Sequence, residues 1–268
     1  MNDRKNISRS KKRIIIAVLS IILLVCIAVI VTYYYKQYKA RQEYDSLKET
    51  TVSQEEESKG SIEKPPIKEN EEKNVEIPVD FEELWKTNPD IYAWIEIPDT
   101  EINYPILQSV NDPEDYYLDH TVDRISGLPG SIYTRMDNAK DFSDTNTVIY
   151  GHNMKNGTMF KGLHKYEDAE YWTEHPYVYI YTPEHILTYE IFAAVTYSDE
   201  LILSKYDFTT DQGLLDFVDS LKESRGMTDH WKDDVEILPQ DKLITMSTCI
   251  ANRPTNRFIV VAVLRSEE

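Results

Sequence analysis

The chain has 268 residues, 47 of them acidic and 29 basic, for a formal charge of −18. That length allows one or two domains with a sizeable core, and a 41% hydrophobic fraction with 19 Tyr and 4 Trp excludes a disordered chain. The acidic balance argues against a nucleic-acid binder, whose phosphate contacts need Lys and Arg, and two Cys exclude a disulfide framework.

The charge is unevenly placed. Residues 1–79 hold 14 basic and 12 acidic side chains, a net of +2, and residues 80–268 hold 15 and 35, a net of −20. Ile14 to Val31 is an uncharged run of 18 residues interrupted only by Ser20, and six basic residues precede it: Arg4, Lys5, Arg9, Lys11, Lys12 and Arg13. As a helix at ~1.5 Å per residue it spans roughly 27 Å, close to the hydrocarbon thickness of a bilayer. Tyr33, Tyr34 and Tyr35 stand where an interfacial aromatic belt would. This predicts a cytoplasmic N-terminus over 1–13 and a single-pass signal-anchor over 14–35, with everything beyond it outside the cell membrane. Lys36, Lys39 and Arg41 weaken the charge bias without reversing it. A cleaved signal peptide would end on small residues rather than three Tyr. A lipoprotein signal ending at Cys26 would follow a residue smaller than Val25.

Residues 36–79 are polar, with Glu55-Glu56-Glu57, Ser58-Lys59-Gly60-Ser61 and Pro65-Pro66. So little apolar surface does not offset the entropy of ordering the chain, and a flexible extracytoplasmic stalk is expected.

From residue 80 to 268 the composition becomes that of a folded domain. Asp80 with Glu83 caps a short helix carrying Phe81, Leu84 and Trp85. Strands are expected at Ala93–Ile97, Ile102–Ile106, Thr147–Tyr150, Tyr177–Tyr181, Leu187–Thr196, Leu243–Thr248 and Phe258–Leu264. Between them a longer helix is expected, capped by Thr209 with Gln212, striped by Leu214, Leu215, Val218 and Leu221, and ended by Gly226. The pattern reads as a mostly β domain, a barrel-like sheet with a few helices.

With Cys26 in the apolar helix, Cys249 is the one thiol of the outer domain. By count alone, a buried and inert small hydrophobe is the commoner fate of such a residue. Its surroundings point to chemistry. Cys249 ends the strand Leu243–Thr248, on the face shared by Thr245 and Ser247. Seven residues later, past Asn252 and Pro254, Arg257 opens the next strand. Antiparallel pairing would bring Arg257 to Cys249, where a guanidinium favours a thiolate and a developing oxyanion. A surface salt bridge is the alternative for Arg257 in so acidic a domain. Of six His, His152 follows an apolar strand and Gly151, a setting suited to an acid–base group. His120, His164, His175, His185 and His230 lie in polar, loop-like contexts. No HExxH or paired Cys/His pattern occurs, so neither metal nor other cofactor is expected.

The stretch Thr245-Met246-Ser247-Thr248-Cys249 with Arg257, preceded by Tyr150-Gly151-His152-Asn153-Met154, resembles the sortases, membrane-anchored cysteine transpeptidases of Gram-positive bacteria. The finer pattern is similar to class B, through Ile149–Phe160 (IYGHNMKNGTMF), Ala93–Gln108 (AWIEIPDTEINYPILQ) and Tyr116–His120 (YYLDH). It covers roughly residues 80–264. The resemblance implies an eight-stranded sortase-type β-barrel with an N-terminal helical extension and a helix between the His and Cys strands. It implies that Cys249 attacks the carbonyl of a Thr in the C-terminal sorting signal of a secreted protein, leaving a thioester. An amine of a peptidoglycan precursor or a pilin then resolves it. His152 would move protons to and from the amines, and Arg257 would hold substrate and oxyanion. Ser247, Thr248 and Asn252 are further candidates for substrate contact.

Two departures stand out. Gly130-Ser131-Ile132-Tyr133 continues as Thr134-Arg135-Met136, where class B members often carry an acidic residue, and Asp137 comes later. Ile250 and Ala251 replace a more polar pair after the thiol. Two rival readings use the same residues: another wall-modifying cysteine enzyme, such as an L,D-transpeptidase or thiol peptidase, and a non-catalytic anchored binding domain with Cys249 buried. Exposure of the thiol separates the last from the others.

Overall fold

Short apolar runs set up strands throughout the second half of the chain, and the computed structural model, described over residues 9–51, 76–224 and 226–268, has nine among the described residues. They are β1 (Ile91–Glu96), β2 (Asn103–Leu107), β3 (Ile132–Thr134), β4 (Asn146–Tyr150), β5 (Tyr177–Tyr181), β6 (Ile186–Ser198), β7 (His230–Trp231), β8 (Leu243–Ile250) and β9 (Arg253–Glu267). The hydrogen-bonded order is β5-β1-β2-β3-β4-β8-β9-β6, and β6 pairs back onto β5. Eight strands thus close into a barrel, which leaves no free edge in the ring, while β7 pairs with β6 outside it. The β2–β3 and β4–β8 pairs are parallel, and the other pairs are antiparallel.

All seven expected strands lie on observed ones. β3 and β7 were not expected, since three and two residues are too short to carry a period-two signal. The connection expected from Ile250 to Asn256 is instead a two-residue turn at Ala251–Asn252, with Asn252 in the left-handed region at φ 61°. Asn tolerates that conformation better than most residues. The register then steps from Cys249↔Arg257 to Ile250↔Arg253, so residues 254–256 bulge out opposite a single peptide of β8. Pro254, which has no N–H to give a ladder, sits in that bulge.

Alternation along β9 divides the core. Phe258, Val260 and Ala262 join Trp94, Ile106, Ile244 and Met246 in the main apolar cluster. Ile259, Val261 and Val263 face outward under a helix that buries Leu214, Phe217, Val218 and Leu221 against them. The helices are α1 (Arg9–Thr51), α2 (Phe81–Thr87), α3 (Ala169–Glu174), α4 (Ile202–Lys205) and α5 (Asp211–Lys222), and α5 is the one covering the barrel wall. Asp80 caps α2, accepting from the Glu83 N–H at 3.0 Å. The cap of α5 is Thr210, one residue later than expected, and its Oγ1 accepts from Gly213 N–H at 3.1 Å. Thr209 donates to Asp207 instead, and α5 ends at Lys222, ahead of Gly226.

α1 contains the apolar run and is long and apolar enough to cross a membrane. The stalk expected from residue 36 is helical as far as Thr51. No Gly or Pro interrupts that stretch, and Tyr44 gives it a tertiary anchor by donating to the Gly130 carbonyl at 2.9 Å and packing edge-on to Tyr104. The Asp80 N–H also donates to the Thr51 carbonyl, at 2.8 Å. Residues 52–75 of the expected stalk, and 1–8 of the expected N-terminus, lie outside the described residues.

Candidate active site

Because β4 and β8 run parallel with Val148 beside Thr245 and Tyr150 beside Ser247, their C-terminal ends reach the same rim. Gly151, His152 and Asn153 follow one strand there, and Cys249 lies near the end of the other. β9 returns antiparallel and sets Arg257 directly opposite Cys249. By strand alternation, Cys249 and Arg257 share the barrel's outer face with Ile259 and Val261.

Hydrogen bonds extend the β4–β8 ladder beyond the strands. Gly151 N–H donates to the Ser247 carbonyl at 3.2 Å, Thr248 Oγ1 to the Gly151 carbonyl at 2.8 Å, and Asn153 Nδ2 to the Cys249 carbonyl at 2.8 Å. Gly151 is required by close packing: a Cβ there would lie 2.5 Å from Ile132 Cδ1 and 2.7 Å from the Phe160 ring. The loop beyond it closes on itself, with Phe160 N–H donating to the His152 carbonyl at 2.9 Å and Gly157 turning at φ 92°.

His152 is half-buried, and its Nε2 lies 2.6 Å from the Leu118 carbonyl. A carbonyl only accepts, so the neutral ring carries its proton on Nε2 and leaves the Nδ1 lone pair open. Cys249 is an exposed free thiol, which contradicts the buried, inert alternative. Arg257 is half-buried, and its Nη1 donates to the carbonyls of Pro254 and Asn256, both at 3.0 Å. Among the described residues no carboxylate lies within ion-pair distance of it, so the salt-bridge alternative finds no partner there.

The three further candidates differ. Ser247 and Thr248 are buried, and the Thr248 hydroxyl is engaged by Gly151. Asn252 is exposed at the hairpin turn. Tyr150, paired with Tyr133 at 5.5 Å between ring centroids, has its phenol pushed up to about 12 by burial and stays neutral. At the first sequence departure, Arg135 pairs with Glu114 and, through Nε at 3.2 Å, with Asp137. No group of three or more His, Cys, Asp or Glu able to hold a metal occurs among the described residues.

Sequence reasoning missed His164. Its Nε2 lies 2.9 Å from Asn153 Nδ2 and 3.2 Å from the Cys249 carbonyl, and its Nδ1 is 3.3 Å from Glu167 Oε1. The side chain is 9% exposed and stacks on Phe258 with ring centroids 5.1 Å apart. The only sequence signal was the His164/Glu167 spacing of three, which ordinary surface pairs share.

The Sortase domain family profile matches residues 95–265. The chain belongs to the sortase family. Within it, the chain is 36% identical to Sortase B of Listeria monocytogenes over 179 residues, 66% of this chain and 69% of that protein. It is 29% identical to Sortase B of Staphylococcus aureus over 68% of this chain and 73% of that protein. The structure of sortase B from B. anthracis in complex with AAEK1 matches with a TM-score of 0.66 and 27% identity, covering 86% of this chain and 98% of that one. The Staphylococcus aureus sortase B–substrate complex matches with a TM-score of 0.60 and 29% identity, over 69% and 84%. This sortase is therefore of class B, and a cysteine transpeptidase. The sortase barrel is the eight-stranded ring described above, with α5 inserted between the His152 and Cys249 strands.

Proposed function

We propose that this sortase cleaves a C-terminal sorting signal after Thr and transfers the upstream protein to an amine, with Cys249 as nucleophile, His152 as acid–base and Arg257 as anion stabiliser. The observation that carries the assignment is the register pairing of an exposed Cys249 with Arg257, beside the rim where the His152 loop is tied to β8. The Cys249 thiolate adds to the scissile carbonyl carbon, and the oxyanion that forms is met by the Arg257 guanidinium. The C–N bond then breaks. The departing amine takes a proton from His152 imidazolium, and a thioester remains on Cys249. An incoming neutral amine adds to the thioester carbonyl, and its nitrogen gives a proton to the neutral His152. Collapse of that adduct expels the thiolate and leaves a new amide. With Nε2–H donated to Leu118, Nδ1 is the nitrogen through which both proton transfers pass.

The acceptor is a cell-wall precursor or pilin amine. Residues 14–35 anchor the enzyme as a single-pass protein, with the N-terminus cytoplasmic and the catalytic domain outside, next to both substrates. The basic flank before Ile14 supports this orientation.

The test uses full-length protein in detergent and a sorting-signal peptide. Cys249→Ala is expected to abolish cleavage, and a slowly resolved peptide is expected to leave its acyl mass on Cys249. Unchanged turnover in that variant, or an acyl group mapped to another residue, would overturn the assignment.

A further inference from the structure

We infer that Asn153, with His164 and Glu167 behind it, is a positioning device for the Cys249 nucleophile; the inference rests on the assignment of Cys249 just given. The antiparallel ladder that fixes β8 against β9 breaks at the thiol, where pairing jumps from Cys249↔Arg257 to Ile250↔Arg253. At that step residues 254–256 stand opposite the single Cys249–Ile250 peptide, so the regular register lapses there. The plane of that peptide is one bond from the Cα that bears the thiol side chain, so its rotation shifts the thiol. The Asn153 amide adds a constraint at the irregular step, donating one hydrogen to the Cys249 carbonyl at 2.8 Å.

An amide nitrogen has a second hydrogen, and its disposal fixes the rest of the device. It points to His164 Nε2 at 2.9 Å, which can accept only if that nitrogen carries a lone pair. Glu167 secures this, since its carboxylate 3.3 Å from Nδ1 holds the ring proton on Nδ1 and leaves the Nε2 lone pair to Asn153. Stacking on Phe258, itself paired with Thr248 beside the thiol, holds the imidazole plane. Asn153 thus bonds the Cys249 carbonyl with His164 beside it at 3.2 Å, and Glu167 and Phe258 hold the imidazole from behind. Asn153, His164 and Glu167 act through the Cys249 backbone.

The device predicts a split between turnover and binding. In full-length protein, Asn153→Asp keeps the shape but loses the donor, and kcat is expected to fall about tenfold to a hundredfold with KM within about twofold. His164→Leu removes the acceptor and is expected to fall comparably. His164→Gln, whose carbonyl can accept from Asn153, should recover most of the turnover lost in His164→Leu. A structural role alone would not distinguish Gln from Leu by kcat at equal folded fraction, so circular dichroism accompanies each assay. Parental kcat in Asn153→Asp, a loss confined to KM, or equal kcat for the two His164 variants would each overturn the inference. Cys249→Ala is run alongside. Residual cleavage in that variant would instead sink the nucleophile assignment, whereas an inactive Cys249→Ala beside a fully active Asn153→Asp sinks only the positioning role.

Discussion

The hydroxyl of Thr248 donates to the carbonyl of Gly151 at 2.8 Å, inside the protein, and so ties the residue before the thiol to the residue before the imidazole. Thr248→Val preserves shape and removes the donor. Leaving the Gly151 oxygen buried without this bond is expected to cost about 1–3 kcal/mol. Urea denaturation would measure the loss, and Thr248→Ser should restore most of it. A Thr248→Val protein as stable as its parent would show that another donor reaches that oxygen.

Gly151→Ala tests the close packing behind the same loop. The added methyl would overlap Ile132 Cδ1 and the Phe160 ring, at 2.5 and 2.7 Å from the new carbon. Both neighbours are fully buried, so relief has to come from the loop, which carries His152 away from β8. Overpacking of this kind costs about 1–3 kcal/mol. Turnover is expected to drop more than peptide affinity, and steady-state kinetics would separate the two.

Arg257→Lys keeps the positive charge and shortens the reach. The guanidinium spans the Pro254 and Asn256 carbonyls with one nitrogen and keeps others for an anion, a geometry an ammonium does not reproduce. In the role proposed for Arg257, loss of an oxyanion donor is worth about a hundredfold in kcat. Single-turnover acylation of Cys249, followed by mass spectrometry, is the direct measure, and near-parental acylation would reduce Arg257 to a part of the hairpin.

The tyrosines predict an alkaline weakness. Burial pushes the phenols of Tyr150 and Tyr171 up to about 12, and raises those of Tyr92, Tyr133, Tyr166 and Tyr189 as well. An unfolded phenol ionises near ~10. Each pKa is raised in the folded state, so the stability involved is fully present below pH ~10 and is lost as pH climbs through the folded values. Ultraviolet titration should show late-ionising tyrosines near 12 coinciding with unfolding. A full phenolate signal at pH ~10 with the fold intact would contradict the burial.

Much of the barrel could be read from the chain, because β5, β8 and β9 carry apolar runs or alternation long enough to be seen. The Cys249–Arg257 pairing was also legible, since both residues lie on one hairpin. What escaped was whatever depends on contacts distant in sequence. Residues 36–51 look like linker by composition, and only the socket of Gly130 and Tyr104 explains why Tyr44 is buried. His164 resembled four other polar histidines until the fold set it beside the Cys249 carbonyl. The hairpin turn was misjudged because a three-residue bulge at Pro254 reads in sequence as part of a longer loop.

The two halves of the site differ in how early they can exist. Cys249 and Arg257 meet through a local hairpin, a contact of low order that a folding chain can close quickly. The His152 loop reaches them only through a parallel pairing, and Asn153 is 96 residues from the carbonyl it holds. Parallel neighbours need a long crossover, here one that includes β5, β6 and α5. A partly folded chain can therefore carry a thiol next to a guanidinium without an imidazole in place. The proposed set of thiol, guanidinium and imidazole is complete only when the ring of strands has closed, so a half-folded chain is a poor enzyme for attacking its neighbours.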